Sequence, residues 1–161
     1  MSDMKALDLK GFVNNGMREV FSTMLSMDLE PSGRPSTDGS GREERIVGSV
    51  SFAGAVMGSV SITLSSGFGR EITAAMLGMS PDEVEDQEEI DDAVAEMSNM
   101  IGGYLKSRFC DSGLPCELSI PSITSGTDFK IELMNWEQHE QFSFAHDGKQ
   151  VEVAVFLKAG S

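Results

Sequence analysis

Basic residues are scarce in this sequence. Twelve Lys and Arg stand against 26 Asp and Glu, for a formal charge of −14. Binding to nucleic acid requires a basic surface that displaces counterions, so this balance argues against a DNA or RNA partner. It disfavours an anionic membrane surface for the same reason. Cysteine is scarce too. Cys110 and Cys116 make no disulfide framework, and only His139 and His146 stand beside them as further soft ligands, so no paired zinc motif is present. No apolar run approaches the roughly 18 residues of a membrane span. A secretory h-region is also missing, and 11 methionines are present. The expected compartment is therefore the cytoplasm, with reduced thiols.

What remains is an ordinary globular composition, 40% hydrophobic and 24% charged over 161 residues. Residues 1–161 are expected to form one domain, long enough to bury a core without staples. Leu9, Phe12, Val13, Met17, Val20, Phe21, Met24 and Leu25 repeat at three and four, which predicts a helix over 8–27 with Asp8 as N-cap. Prolines, glycines and small polar residues then predict a surface loop over about 30–43.

From Glu44 to Leu64 the period becomes two, with a turn near Gly54, which predicts a hairpin with one buried face. A helix over 68–77 ends at Gly78, and Ser80-Pro81 with Glu83 begins a short acidic helix or turn. A long helix follows, from Gln87 to Phe109. Glu117 to Thr124 reads as a strand broken by Pro121, hence an edge or a bulge. Phe129, Ile131 and Leu133 mark another strand. Phe142 and Phe144 lead through Asp147-Gly148, a strong hairpin signal, to Val151, Val153 and Val155. The order predicts an α+β fold, a mostly antiparallel sheet packed against long helices.

The long helix carries the functional signal. At about 100° per residue, Ile90, Val94, Met97, Ile101, Tyr104 and Leu105 form its buried stripe. Asp92, Glu96, Asn99 and Gly103 form an outward line at i, i+4, i+7 and i+11, and Lys106 lies on the same side as a further candidate contact. Polar residues on a solvated face need no special explanation. Adjacent glycines inside a helix do, because each costs about 1 kcal/mol against alanine. Close packing on the sheet accounts for one. Gly103 faces outward, where only the near approach of a partner would favour a bare backbone.

Asp92-Ala-Val-Ala-Glu96-Met-Ser-Asn99, with Pro121 following 22 residues later, resembles the D/S-x3-E-x2-N-x21-P pattern of the CheC/CheX/FliY-type phosphatases of bacterial chemotaxis. The stretches Glu96 to Lys106 and Leu118 to Ile123 look like CheX. The resemblance implies a CheC-like fold and a hydrolase whose substrate is the phosphoaspartate of a CheY-like response-regulator receiver domain. It implies Glu96 and Asn99 as catalytic residues, with Asp92, Gly103 and Lys106 around them as partner contacts. It implies no cofactor of the chain's own, Mg²⁺ being carried by the receiver. The E-x2-N motif occurs once, as in CheX, which implies a homodimer exchanging β structure. A non-catalytic receiver-binding adaptor or flagellar-switch-like domain is the alternative, and a structural dimerisation domain a third.

Other groups carry less. Ser98 has no histidine base near it in sequence. His139 with Glu137 and Glu140 reads as surface loop before metal site. Trp136 reads as packing or a loop anchor, Cys110 and Cys116 as buried small apolar residues, and the acidic stretch 82–92 as a solvated face before a docking patch.

Overall fold

The computed structural model describes residues 7–32, 44–126 and 138–160. Helix α1 spans Leu9–Leu25, and the Asp8 carboxylate accepts from the Gly11 N–H at 3.1 Å to cap it. It stops at Ser26, whose left-handed φ of 53° turns the chain out of the helix.

The expected loop is corrected at its start. Glu30–Ser32 form a short strand, β1, antiparallel to a later strand. Its conformation is set by that neighbour and not by any period of its own. Pro31 is tolerated there because β1 lies at an edge of the sheet. The rest of the loop, 33–43, lies outside the described residues.

Strands β2 (Arg45–Gly54) and β3 (Val56–Ser65) form the predicted hairpin, in register from Arg45 opposite Ser65 to Phe52 opposite Gly58. Helix α2 (Ser66–Leu77) is capped by the Ser65 hydroxyl and closed by Gly78 at φ 69°. A single 3-10 turn, Pro81–Glu83, carries the Ser80/Glu83 capping box. Helix α3 runs Gln87–Asp111. Strands β4 (Cys116–Leu118), β5 (Ser122–Gly126), β6 (Gln138–His146) and β7 (Lys149–Ala159) complete the described elements. Asp147 and Gly148, both at positive φ, make the tight turn between β6 and β7. The strand expected through Phe129, Ile131 and Leu133 lies outside the described residues.

Among the described residues, seven strands form one antiparallel sheet in the order β1-β6-β7-β3-β2-β4, with β5 also on β2. The architecture is α+β, as the hairpin-rich order predicts. The sheet face bearing Ile46, Val50, Phe52, Val60, Ile62, Val153 and Val155 is buried with the apolar stripes of all three helices in one core. Phe109 of α3 packs edge-on against Phe52 at 5.2 Å, and Phe12 of α1 tilts against it at 6.4 Å. Burial of this apolar area, worth about 25 cal/mol per Å², is what holds the layers together.

Two strands share one edge of β2. Leu118 lies opposite Phe52 and Ser122 opposite Ser49, so the three residues 119–121 face only two, Val50 and Ser51. That is a bulge of one extra residue at Pro121, as the proline predicts. It sits beside α3, which lies over β2 and reaches β4 and β5.

Candidate functional site

Two small-residue contacts seat α3 on the sheet. A Cβ on Gly48 of β2 would overlap the Ser98 hydroxyl, and a Cβ on Gly102 would overlap a Val50 methyl. Ser98 is fully buried, its polar atom satisfied by donating to the Val94 carbonyl at 2.8 Å. With Ser98 and Gly102 fixed against β2, the helical period forces Asp92, Glu96 and Asn99 outward. All three are exposed. Gly103 is half-buried, and a Cβ there would have nothing within 4 Å. The two glycines therefore differ in kind: Gly102 packs, and Gly103 leaves open space beside the motif.

The bulge completes a groove. Asp92, Glu96 and Asn99 line one side, and Ser119, Ile120 and Pro121 the other. Ser119 clamps this wall. Its N–H donates to the Ser51 carbonyl at 3.0 Å, and its hydroxyl accepts the Ser51 N–H at 2.9 Å while donating to the Ile120 carbonyl at 3.0 Å. Ile120 is 87% exposed, the most exposed of the large apolar side chains among the described residues.

The groove's described lining holds two carboxylates, one neutral amide and no basic side chain. Such a surface repels free phosphate. It suits a partner that brings its own cation to meet Asp92 and Glu96. Asn99 can donate and accept hydrogen bonds without adding charge.

The structure thus brings Asp92, Glu96 and Asn99 together with Pro121, and sets Gly103 just beyond. Lys106 lies on the same helix side but does not line the groove, and its ammonium pairs with Glu117 at 3.3 Å. Tyr104, assigned to the buried stripe, is half-buried, its ring against Gly16 of α1 and 4.8 Å beneath the Arg108 guanidinium.

His139 is corrected from loop to strand. It stands on β6 opposite Phe156, rings stacked at 4.4 Å, and the pairing with β7, not a local pattern, makes this segment a strand. Glu137 and Trp136 lie outside the described residues. Cys116 is buried as expected, and burial pushes its thiol pKa up, but Cys110 is exposed on the last turn of α3.

Among the described residues no group of three or more His, Cys, Asp or Glu is placed to hold a metal, and no helix is long and apolar enough to cross a membrane. Sequence reasoning missed Ser119 and Ile120 as part of the site. A signal for them was present: the apolar alternation Leu118, Ile120 slips by one residue to Ile123 across Pro121.

Comparison with known proteins adds to this geometry. Solved structures match over nearly the whole chain. A chemotaxis protein CheX from Vibrio vulnificus is 25% identical, with a TM-score of 0.79, covering 94% of this chain and 97% of that one. A chemotactic CheC-like protein from Shewanella oneidensis is 26% identical with a TM-score of 0.73, covering 92% and 96%. The CheX of a CheX-CheY-BeF3-Mg²⁺ complex from Borrelia burgdorferi, at 18% identity and a TM-score of 0.71 over 94% and 98%, shares the fold. No curated protein sequence matches significantly. The model of the chemotaxis phosphatase CheX family matches residues 46–145, from the first sheet hairpin through α3 and the bulge to the end of β6, and on that match the chain belongs to the CheX family.

Proposed function

We propose that this protein hydrolyses the phosphoaspartate of a CheY-like receiver domain, with Asn99 positioning the attacking water and Glu96 fixing the docked register. The observation that carries this reading is the exposed Glu96/Asn99 pair on one helix face, lining a groove that has no basic side chain among the described residues. A phosphoaspartate is a mixed anhydride, already prone to hydrolysis, and its Mg²⁺ and lysine belong to the receiver. The missing part is an oriented water, and phosphoryl transfer depends on positioning and charge stabilisation. The neutral Asn99 amide holds that water without repelling the phosphoryl group. The Glu96 carboxylate, one turn earlier, pairs with the receiver's lysine. Asp92, Gly103 and Lys106 extend the contact along the helix.

The family description names a phosphatase, and the Borrelia relative is solved with CheY, BeF3 and Mg²⁺. Both support the partner and the chemistry. In the same reading residues 1–161 act as one domain, in the cytoplasm, as a homodimer; light scattering showing a monomer at micromolar concentration would remove the dimer.

The test of function is the lifetime of a phosphorylated CheY-like receiver with and without the protein. A catalytic shortening supports the enzyme. Binding to the beryllofluoride-bound receiver with no effect on that lifetime leaves the adaptor reading.

A further inference from the structure

We infer that Ile120 is the apolar anchor by which this protein grips its receiver partner, presented by a bulge built to hold it rigid; the inference rests on the receiver-phosphatase reading. A large aliphatic side chain 87% exposed at the rim of a groove offers apolar area that a docked partner can bury. Three features fix its direction. The extra residue in the strand opposite Val50 and Ser51 lifts 119–121 out of the regular pleat. The paired bonds of Ser119 with Ser51, and of the Ser119 hydroxyl with the Ile120 carbonyl, tie down the preceding residue. Pro121 confines the backbone of Ile120 to extended conformations from the other side. A side chain held on both flanks loses little freedom when it docks, so more of its burial appears as affinity.

The occupant is assigned by continuity. Ile120 lines the same groove as Asp92, Glu96 and Asn99, so a receiver whose phosphoryl group reaches Asn99 lies against Ile120. Asp92, Glu96 and Asn99 make one wall polar and acidic, while Ile120 stands with the half-buried Leu118 and Pro121 on the other and is the apolar side chain there most open to a partner. The matching feature on the receiver is an apolar recess beside its phosphorylated aspartate. Ile120 thus sets affinity and receiver choice, while Glu96 and Asn99 act on the reacting centre. Ser119 is a positioning residue that acts through Ile120.

The experiment is titration of Ile120→Ser, Ile120→Leu and Ser119→Ala with the beryllofluoride–Mg²⁺ form of a CheY-like receiver, beside turnover against receiver concentration. Ile120→Ser is expected to weaken binding and raise KM by roughly ten- to a hundredfold, the range for full burial of an isoleucine, with kcat at saturation unchanged. Ile120→Leu should restore most of the affinity. Ser119→Ala should raise KM several-fold with thermal stability near that of the parent. Unchanged affinity in Ile120→Ser would overturn the inference, and if Asn99→Ala still abolished turnover the phosphatase reading would stand. A parent protein that binds the receiver without hydrolysing it would remove the phosphatase reading and leave Ile120 to be judged on binding alone. Conversion of a dimer to a monomer by Ile120→Ser would assign the side chain to self-association and overturn the inference.

Discussion

Ser98 of α3 stands over Gly48 of β2, its hydroxyl occupying the space a Cβ on that glycine would need. This contact, with Gly102 against Val50, sets the rotation of α3 on the sheet and so the direction of the Glu96/Asn99 face. Gly48→Ala should destabilise the fold by about 1–3 kcal/mol, the usual range for overpacking. Ser98→Ala in the same chain should recover part of that loss, since it removes the overlapping atom. Urea unfolding of both single variants and the double checks the coupling, which would be absent if the two residues did not share the space.

The adjacent glycines should respond oppositely. Gly102→Ala pushes a Cβ into Val50 and should lower stability by about 1–3 kcal/mol. Gly103→Ala enters open space and should raise it by up to about 1 kcal/mol through helix propensity. Gly103→Leu should keep the fold while slowing receiver dephosphorylation. A gain in stability with unchanged activity would show that this face is not the interface.

These contrasts show what the sequence made legible. The 3.6 period of α3 placed Glu96 and Asn99 outward because its apolar positions are unambiguous, and Pro121 announced the bulge because it cannot donate to a ladder. β1 was invisible: three residues with a central proline have no period, and only pairing with β6 makes them a strand. Ile120 was passed over because alternation assigns it to the buried phase with Leu118, and only the extra residue of the bulge at the sheet edge exposes it. His139 looked like loop among polar neighbours, and its stacking on Phe156 is a long-range contact no local pattern contains.

The two thiols should separate cleanly. Exposed Cys110 is expected to react with iodoacetamide in the native state, and Cys116 only on opening of the fold. Burial, chiefly, and the neighbouring Cys110 hold the Cys116 thiol above its ordinary pKa. Above about pH 8.5 the unfolded chain releases that proton while the folded chain keeps it. Stability should therefore fall as pH rises from there towards the folded pKa. Cys116→Ala should flatten this part of the curve, and an unchanged alkaline slope would locate its origin elsewhere. Mass spectrometry of labelled peptides and denaturation across pH check both.

The measurement that bears most directly on the central claim is decay of a phosphorylated CheY-like receiver at saturating receiver concentration, comparing the parent with Asn99→Ala and Asn99→Asp. Removing the water-positioning amide should cut turnover on the order of 10²-fold while binding to the beryllofluoride-bound receiver stays within a few-fold. Asn99→Asp, nearly isosteric but anionic beside the phosphoryl group, should be at least as slow. Thermal stability should barely move, because Asn99 is exposed and faces away from the core. Full turnover in Asn99→Ala would contradict the account.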